Sequence, residues 1–304
     1  MRIRELSQMK DLFFPIESVS ARNLIVNKNY EKILQLLGLN YFDAIWQYPH
    51  GELVKETVFH SVVRTEMLAG QNKKLFYLKR HNNEYKALRA IAGWCFPGFI
   101  SAQGPSEYNN ILRFREKGLA TVIPVAAGQR RKGLFRVESF LITVDFSPYI
   151  SLETFLKVNP QFFMGKEGRR RKKKLIEKVA SLARQMHENG FNHQDFNATH
   201  ILLYYEEESD MPKLALFDLQ RVETGFFSKF RWGIKSLARL NYSLPDEVFT
   251  LQDRISLLSF YKGKSRLNIL DRCQWYWISK KTKRIRRHTE KKRASGKVRY
   301  GSNL

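Results

Sequence analysis

The stretch "NHQDFNATHILLYY" at 192–205 constrains this chain most tightly. His193, Asp195, Asn197 and His200 crowd a short polar segment that passes directly into a continuous apolar one. A loop that only reverses the chain has no use for two histidines and a carboxylate. Loops carrying such groups beside a rigid element are where chemistry collects. Upstream, in "KKKLIEKVASLARQMHENG" (172–190), Leu175, Ile176, Val179, Leu182, Ala183 and Met186 recur at helical intervals, and Gly190 stands where a helix ends. Downstream, "HILLYY" and "KLALFDLQ" read as short strands joined by "EEESDMP", with Asp218 at the end of the second. The predicted order is helix, polar loop, hairpin, aspartate.

A hairpin between Asp195 and Asp218 returns the second carboxylate to the neighbourhood of the first. Such a pair suits phosphoryl transfer, in which one carboxylate accepts or orients the attacking hydroxyl and the other holds Mg²⁺ against the phosphates. His200 can then supply a neutral nitrogen ligand or a hydrogen bond to phosphate; beside "ILL" its simpler reading is a buried, satisfied histidine. His193 is expected to brace the loop through backbone hydrogen bonds.

In the first half, "ETVFHSVVRTEMLAGQNKKLFYLKR" (56–80) alternates apolar and polar residues in two runs. This predicts strand, turn and strand, with Lys79 ending the second strand. "SEYNNILRFREKG" (106–118) predicts a helix capped by Ser106 and closed by Gly118. "VIPVAAGQRRKGLFRVESFLITVDF" (122–146) predicts two more strands about a basic turn. Past Pro148, Ser151 and Glu153 open a new helix, so the strand-rich half gives way to a helical half at 144–147. Lys79 is then the candidate phosphate-binding lysine, and Glu107, near the start of the following helix, its ion-pair partner. Taken singly, one is a lysine among many and the other a helix-start acid favoured by the dipole.

Charge decides which partners this chain can have. The 53 Lys and Arg against 29 Asp and Glu leave +24 over 304 residues, which calls for an anionic partner or surface. Nucleic acid, acidic lipid and a phosphorylated substrate all qualify. Much of the excess sits in "GKEGRRRKKK" (165–174) and "KKTKRIRRHTEKKRASGKVR" (280–299). These runs read either as a solvated helix start and a disordered tail or as binding segments. The aromatic cluster "CQWYWIS" (273–279) reads as core packing or as an interfacial anchor with Trp275 and Trp277 at headgroup level. Two separated cysteines, Cys95 and Cys273, argue against a disulfide framework and a zinc site and favour a reducing cytosol. No apolar run has signal-peptide length or approaches the ~20 residues of a membrane span, so secretion and integral insertion are not expected.

Together these residues resemble the protein-kinase-like fold, and in detail the lipopolysaccharide kinase family that phosphorylates heptose or Kdo in the inner core of bacterial lipopolysaccharide, most of all its heptose kinase branch. The likeness rests on "FDAIWQYP", "LVKETVFHSVVRT", "YLKRH", "SEYNNILRFREKGLAT", "ESFLITVDFSPYISLETFL", "MHENGFNHQDFNATHILL" and "LFDLQRVE", in family order across roughly 40–225. It implies an α+β, bilobal chain: an N-terminal extension and strand-rich lobe over 1–143, a hinge and helical lobe over 144–279, and a basic, flexible tail over 280–304. It implies ATP and Mg²⁺ as cofactors, with Lys79 on the ATP phosphates and paired to Glu107. Asp195 becomes the catalytic base or hydroxyl-orienting carboxylate, and Asp218 a magnesium ligand. His200 stands where protein kinases use a metal-binding asparagine. "TVDF" becomes the hinge, so the backbone amides and carbonyls of Val144 and Asp145 are expected to hold the adenine edge. The family departs from protein kinases here in sharing Leu219-Gln220 after Asp218. This chain also lacks GxGxxG, and Gln194 replaces the arginine of HRD.

The expected substrate is a lipid A-linked core sugar. The expected location is the cytoplasmic face of the inner membrane of a Gram-negative-type bacterium, with basic segments on the anionic lipid surface. Kdo kinase and protein kinase are the competing substrate assignments. A nucleic-acid-binding protein accounts for +24 but leaves Lys79, Glu107, Asp195 and Asp218 unexplained, so no nucleic-acid partner is expected. An inactive kinase-like scaffold does not need the Asp195 and Asp218 pair.

Overall fold

The structure is a computed structural model that describes residues 17–21, 23–69, 72–84, 102–133, 135–206, 209–225 and 229–295. The turn at 70–71, Cys95 and the last residues of the expected tail, 296–304, lie outside them. The chain divides into two compact units, Met1–Phe146 and Ser147–Leu304. The α+β class expected from the sequence holds, with strands dominating the first unit and helices the second.

In the first unit, alternating apolar patterns close a seven-stranded antiparallel sheet. Its strands are β1 (Ser18–Ala21), β2 (Leu24–Asn27), β3 (Glu52–Glu56), β4 (His60–Ala69), β5 (Asn72–Glu84), β6 (Pro124–Arg131) and β7 (Arg136–Val144), in the order β1-β2-β6-β7-β5-β4-β3. Among the described residues, helices α1 (Lys28–Leu36) and α2 (Phe42–Trp46) precede β3. β5 is an interior strand and runs five residues past the expected end at Lys79. "RHNNE" reads as polar, yet its backbone is held by β4 and β7 as far as Glu84. Lys79 therefore lies inside a strand, sharing a face with its cross-strand neighbours Val62 and Leu141.

Helix α3 (Gln103–Glu116) begins four residues before the expected start, with Ala102 rather than Ser106 at the N-cap. "QGPS" looks like loop, but proline is tolerated in a first turn, where its missing N–H would have no helical partner. Gly104 has its own reason: a Cβ there would lie 2.1 Å from the Phe140 carbonyl oxygen, so the helix approaches β7 backbone to backbone. Tyr108, Ile111 and Phe114 then fill the core against Phe76, Leu78, Phe140 and Ile142.

The second unit opens with β8 (Ile150–Ser151) and α4 (Leu152–Val158), where Ser151 caps by accepting from the Thr154 amide at 3.0 Å. Its longest interior helix, α5 (Gly165–Glu188), buries the stripe anticipated from its apolar spacing. The run 165–174 is the start of this helix, and several of its charges are neutralised locally. Arg170, Arg171 and Lys174 surround Asp210, while Lys172 reaches Asp253 at 2.7 Å and the Val248 carbonyl at 2.9 Å. Then come β9 (Phe191–His193), β10 (Ile201–Tyr205), β11 (Pro212–Leu216), β12 (Val222–Thr224), α6 (Lys229–Ser243), α7 (Leu251–Lys262) and α8 (Ile269–Ala294). β8, β10 and β11 form one antiparallel sheet and β9 and β12 another.

The tail expected from residue 280 is corrected over 280–294, which continues α8 without a break. Thr282 fixes this half, donating to the Ala238 carbonyl at 3.2 Å and accepting from Asn241 at 3.1 Å. The composition of this run is basic and polar, but Ile278 and Thr282, one turn apart, supply a buried seam. The aromatic expectation shifts too: Tyr276 and Trp277 are exposed, whereas Trp275 is partly covered.

Gly104→Ala is expected to destabilise the protein by about 2 kcal/mol or more, because the added methyl meets backbone that cannot swing aside. Urea unfolding of both proteins measures it.

Candidate functional site

The polar loop at 194–200 is built by burying one residue and turning the next outward. Phe196 is fully buried, which leaves the neighbouring Asp195 side chain 31% exposed. Asn197, for which the sequence suggests no role, caps the short 3₁₀ turn Ala198–His200 by accepting from the amides of Thr199 at 2.9 Å and His200 at 3.3 Å. The cap sets the direction of His200.

Hydrogen bonding fixes the state of His193. Its Nε2 lies 3.1 Å from the Phe217 carbonyl, which can only accept, and its Nδ1 receives the Asp195 amide at 3.0 Å. Both bonds together require the neutral ring with the proton on Nε2. Burial acts in the same sense and lowers its pKa from 6.5 to about 4. His193 thus ties the Asp195 backbone to the residue before Asp218.

His200 makes the complementary tie. Its Nδ1 donates to the Asp195 carbonyl at 2.8 Å, and its Nε2 lies 3.4 Å from Oδ2 of Asp218. Burial opposes a charge on this ring, but the hydrogen bond and negative charge of Asp218 outweigh it and raise the pKa above 6.5. The two rings stack with centroids 5.5 Å apart. Asp218 follows β11 with φ 60 and ψ 54, a left-handed conformation that aspartate tolerates better than most residues.

The structure thus brings Asp195, Asp218, His193 and His200 together. It also adds residues that sequence reading missed. Oδ2 of Asp195 accepts from Arg221 at 3.0 Å and Oδ1 from Arg239 at 3.3 Å. Arg221 also holds the Gln194 side chain at 2.9 Å, and Gln194 and Asn192 both donate to Glu223. Arg221 stood three places after Asp218 and was within reach of local reading. Arg239 lies on α6, and no local signal links it to the loop.

In the first unit, Lys79 Nζ meets Oε1 of Glu107 at 2.9 Å, with Glu107 1% and Lys79 17% exposed. A carboxylate this deep needs a cationic partner, and its position in the second turn of α3 places it over β5. Val144 and Asp145 depart from expectation in one respect. Their amides donate within the unit, to the Ile123 and Leu75 carbonyls at 2.9 Å each, so neither is a donor for an adenine. The Asp145 carboxylate accepts from Arg64 at 2.7 Å.

Among the described residues no three His, Cys, Asp or Glu side chains cluster as a metal cage. His200 and Asp218 offer two donors. The Asp218 carboxylate is the kind of oxygen donor that suits an ion such as Mg²⁺, which keeps its waters and arrives with phosphates, better than a resident metal.

Comparison with known proteins gives a consistent result. The family model for lipopolysaccharide kinases (Kdo/WaaP) matches residues 46–261. The lipopolysaccharide core heptose(I) kinase WaaP of Pseudomonas aeruginosa is 30% identical over 259 residues, 82% of this chain and 91% of that protein. WaaP of Escherichia coli is 30% identical over 74% of this chain and 82% of that one. A solved structure of WaaP in complex with acyl carrier protein aligns with TM-score 0.64 and 26% identity, covering 86% of this chain and 98% of that chain.

The neutral His193 carries a pH signature. A histidine whose folded pKa lies below its unfolded one contributes fully above pH 6.5 and loses its contribution as pH falls towards 4. Between pH 7 and 5 this amounts to roughly 2 kcal/mol. Urea unfolding at both pH values should show a smaller loss in His193→Asn than in the native chain.

Proposed function

The chain belongs to the lipopolysaccharide kinase (Kdo/WaaP) family and is an ATP-dependent sugar kinase, and we propose that its acceptor is a heptose of the lipopolysaccharide inner core. The observation that supports this reading most is the pair Asp195 and Asp218, tied by His193 and His200 in a chain that matches heptose kinases over most of its length.

In this mechanism Lys79, held by Glu107, neutralises oxygens of the ATP phosphates. Asp195 accepts the hydrogen of the acceptor hydroxyl, whose oxygen forms the new bond to the γ-phosphorus while the bond to the bridging oxygen breaks and ADP leaves. Arg221 and Arg239 keep the Asp195 carboxylate in one orientation. Asp218, with His200 Nε2 beside it, would hold Mg²⁺, which supplies charge neutralisation at the phosphates when bound. The carbonyls of Val144 and Asp145 remain proposed contacts for the adenine edge.

Peripheral attachment to the inner membrane is part of the same proposal. No helix of the described residues is long and apolar enough to cross a membrane. α8 instead exposes Ile269, Cys273, Tyr276 and Trp277 along one face, continued by Lys280, Arg284 and Arg287. Lys280 sits 5.3 Å from the Trp277 ring centre and 5.8 Å from that of Tyr276. An apolar stripe continuing into a basic one suits the surface of an anionic bilayer, each cation contributing ~1 kcal/mol there. Acyl carrier protein, present in the WaaP complex, is a second partner to test by co-purification.

Asp195→Asn is expected to lower kcat by about 10²–10⁴-fold. The assay incubates Mg-ATP with dephosphorylated lipopolysaccharide core and locates the added phosphate by mass spectrometry; undiminished transfer by the variant would remove Asp195 from the mechanism. Trp277→Ser with Lys280→Glu should weaken sedimentation with anionic vesicles at least tenfold and leave transfer to a deacylated acceptor intact. Point changes are preferable to deleting 280–304, which would strip Thr282 from the α6 interface.

A further inference from the structure

α6 and α8 pack with the same polarity. Gly233 lies against Gln274, and Ala238 and Asn241 against Thr282. That register sets Lys281 beside the α6 face that carries Arg231, Lys235 and Arg239, spaced four residues apart. Lys281 is partly covered; burial lowers its pKa, and the positive charges of Arg239, Lys235, Arg284 and Arg231 lower it further. Compensation is thin. Lys235 has Glu223 at 3.6 Å, already shared with Asn192 and Gln194, and Arg239 has Asp195. Among the described residues, Arg231, Lys281 and Arg284 have no carboxylate within ion-pair distance.

Crowded cations without counter-charges disfavour the folded chain, and an anion bound among them relieves the repulsion. Arg239 belongs both to this group and to Asp195, so whatever the group holds lies next to the residue that receives the hydroxyl hydrogen. We propose that α6 and α8 form an oxyanion site for the acceptor, in which Arg231 and Lys281 take a phosphate or carboxylate of the core sugar and set a neighbouring hydroxyl at Asp195. The site deepens the kinase reading and rests on it. It lies on the flank of α8 that faces α6, apart from the exposed stripe through Tyr276 and Lys280.

The test measures equilibrium binding of deacylated inner-core oligosaccharide, without ATP or lipid, to the native chain and to Arg231→Gln/Lys281→Gln. Native, phosphatase-treated and carboxyl-reduced oligosaccharides are the three arms. The double variant should bind the native sugar at least tenfold more weakly, with Lys281→Arg near the native value. Whichever treatment brings the native chain down to the variant's level identifies the oxyanion. In the transfer assay the same variant should raise KM for the acceptor tenfold or more, with kcat and KM for ATP within about twofold of native. Equal binding by native and variant chains, or equal binding of all three sugars by the native chain, would overturn the site. A native chain that shows this binding pattern but transfers no phosphate would overturn the kinase reading and support the site.

Discussion

The second unit depends on two imidazoles that grip the same residue from opposite sides. His193 takes the amide of Asp195 and His200 takes its carbonyl; their far nitrogens reach the Phe217 carbonyl and the Asp218 carboxylate. A loop and a strand end that are distant along the chain become one rigid object. Neither ring could be exchanged for a simple apolar residue without leaving backbone polar groups unpartnered, and such groups are costly where water is excluded. The remaining features follow from this constraint. Phe196 anchors the loop, Asn197 aims His200, and the two arginines fix the carboxylate that the histidines leave exposed.

The large positive charge is distributed unevenly, and the distribution separates structure from function. At the start of α5 the charges are matched by Asp210 and Asp253, so a run that looks like an anion trap mostly knits helices together. Along α6 and α8 the matching carboxylates are few, and the unmatched cations lead towards Asp195. In the proposed reading, where the acceptor sugar carries an anionic group, this placement links charge to catalysis.

Much of this was legible in the sequence because local chemistry specified it. The period of α5, the hairpin and the carboxylates at its two ends required no knowledge of distant contacts. What escaped notice was long-range. Arg239 meets Asp195 only through the packing of α6, and the extension of β5 beyond Lys79 depends on two neighbouring strands rather than on its polar residues. The first turn of α3 was hidden because Gly104 and Pro105 have loop-like propensities, and close packing on Phe140 decides otherwise. Residues 280–294 have a composition typical of a solvated tail, and only the small buried seam of Ile278 and Thr282 sets them apart as helix.

The most direct test of the histidine clasp is the nitrogen NMR of the two rings. With ¹⁵N-labelled imidazoles, the account predicts that at pH 6 His193 is neutral with its proton on Nε2, while His200 carries a proton on Nδ1. A His193 ring that is charged at that pH, or protonated on Nδ1, would mean that the Asp195 amide has another partner and that the loop and the strand end are not joined through it.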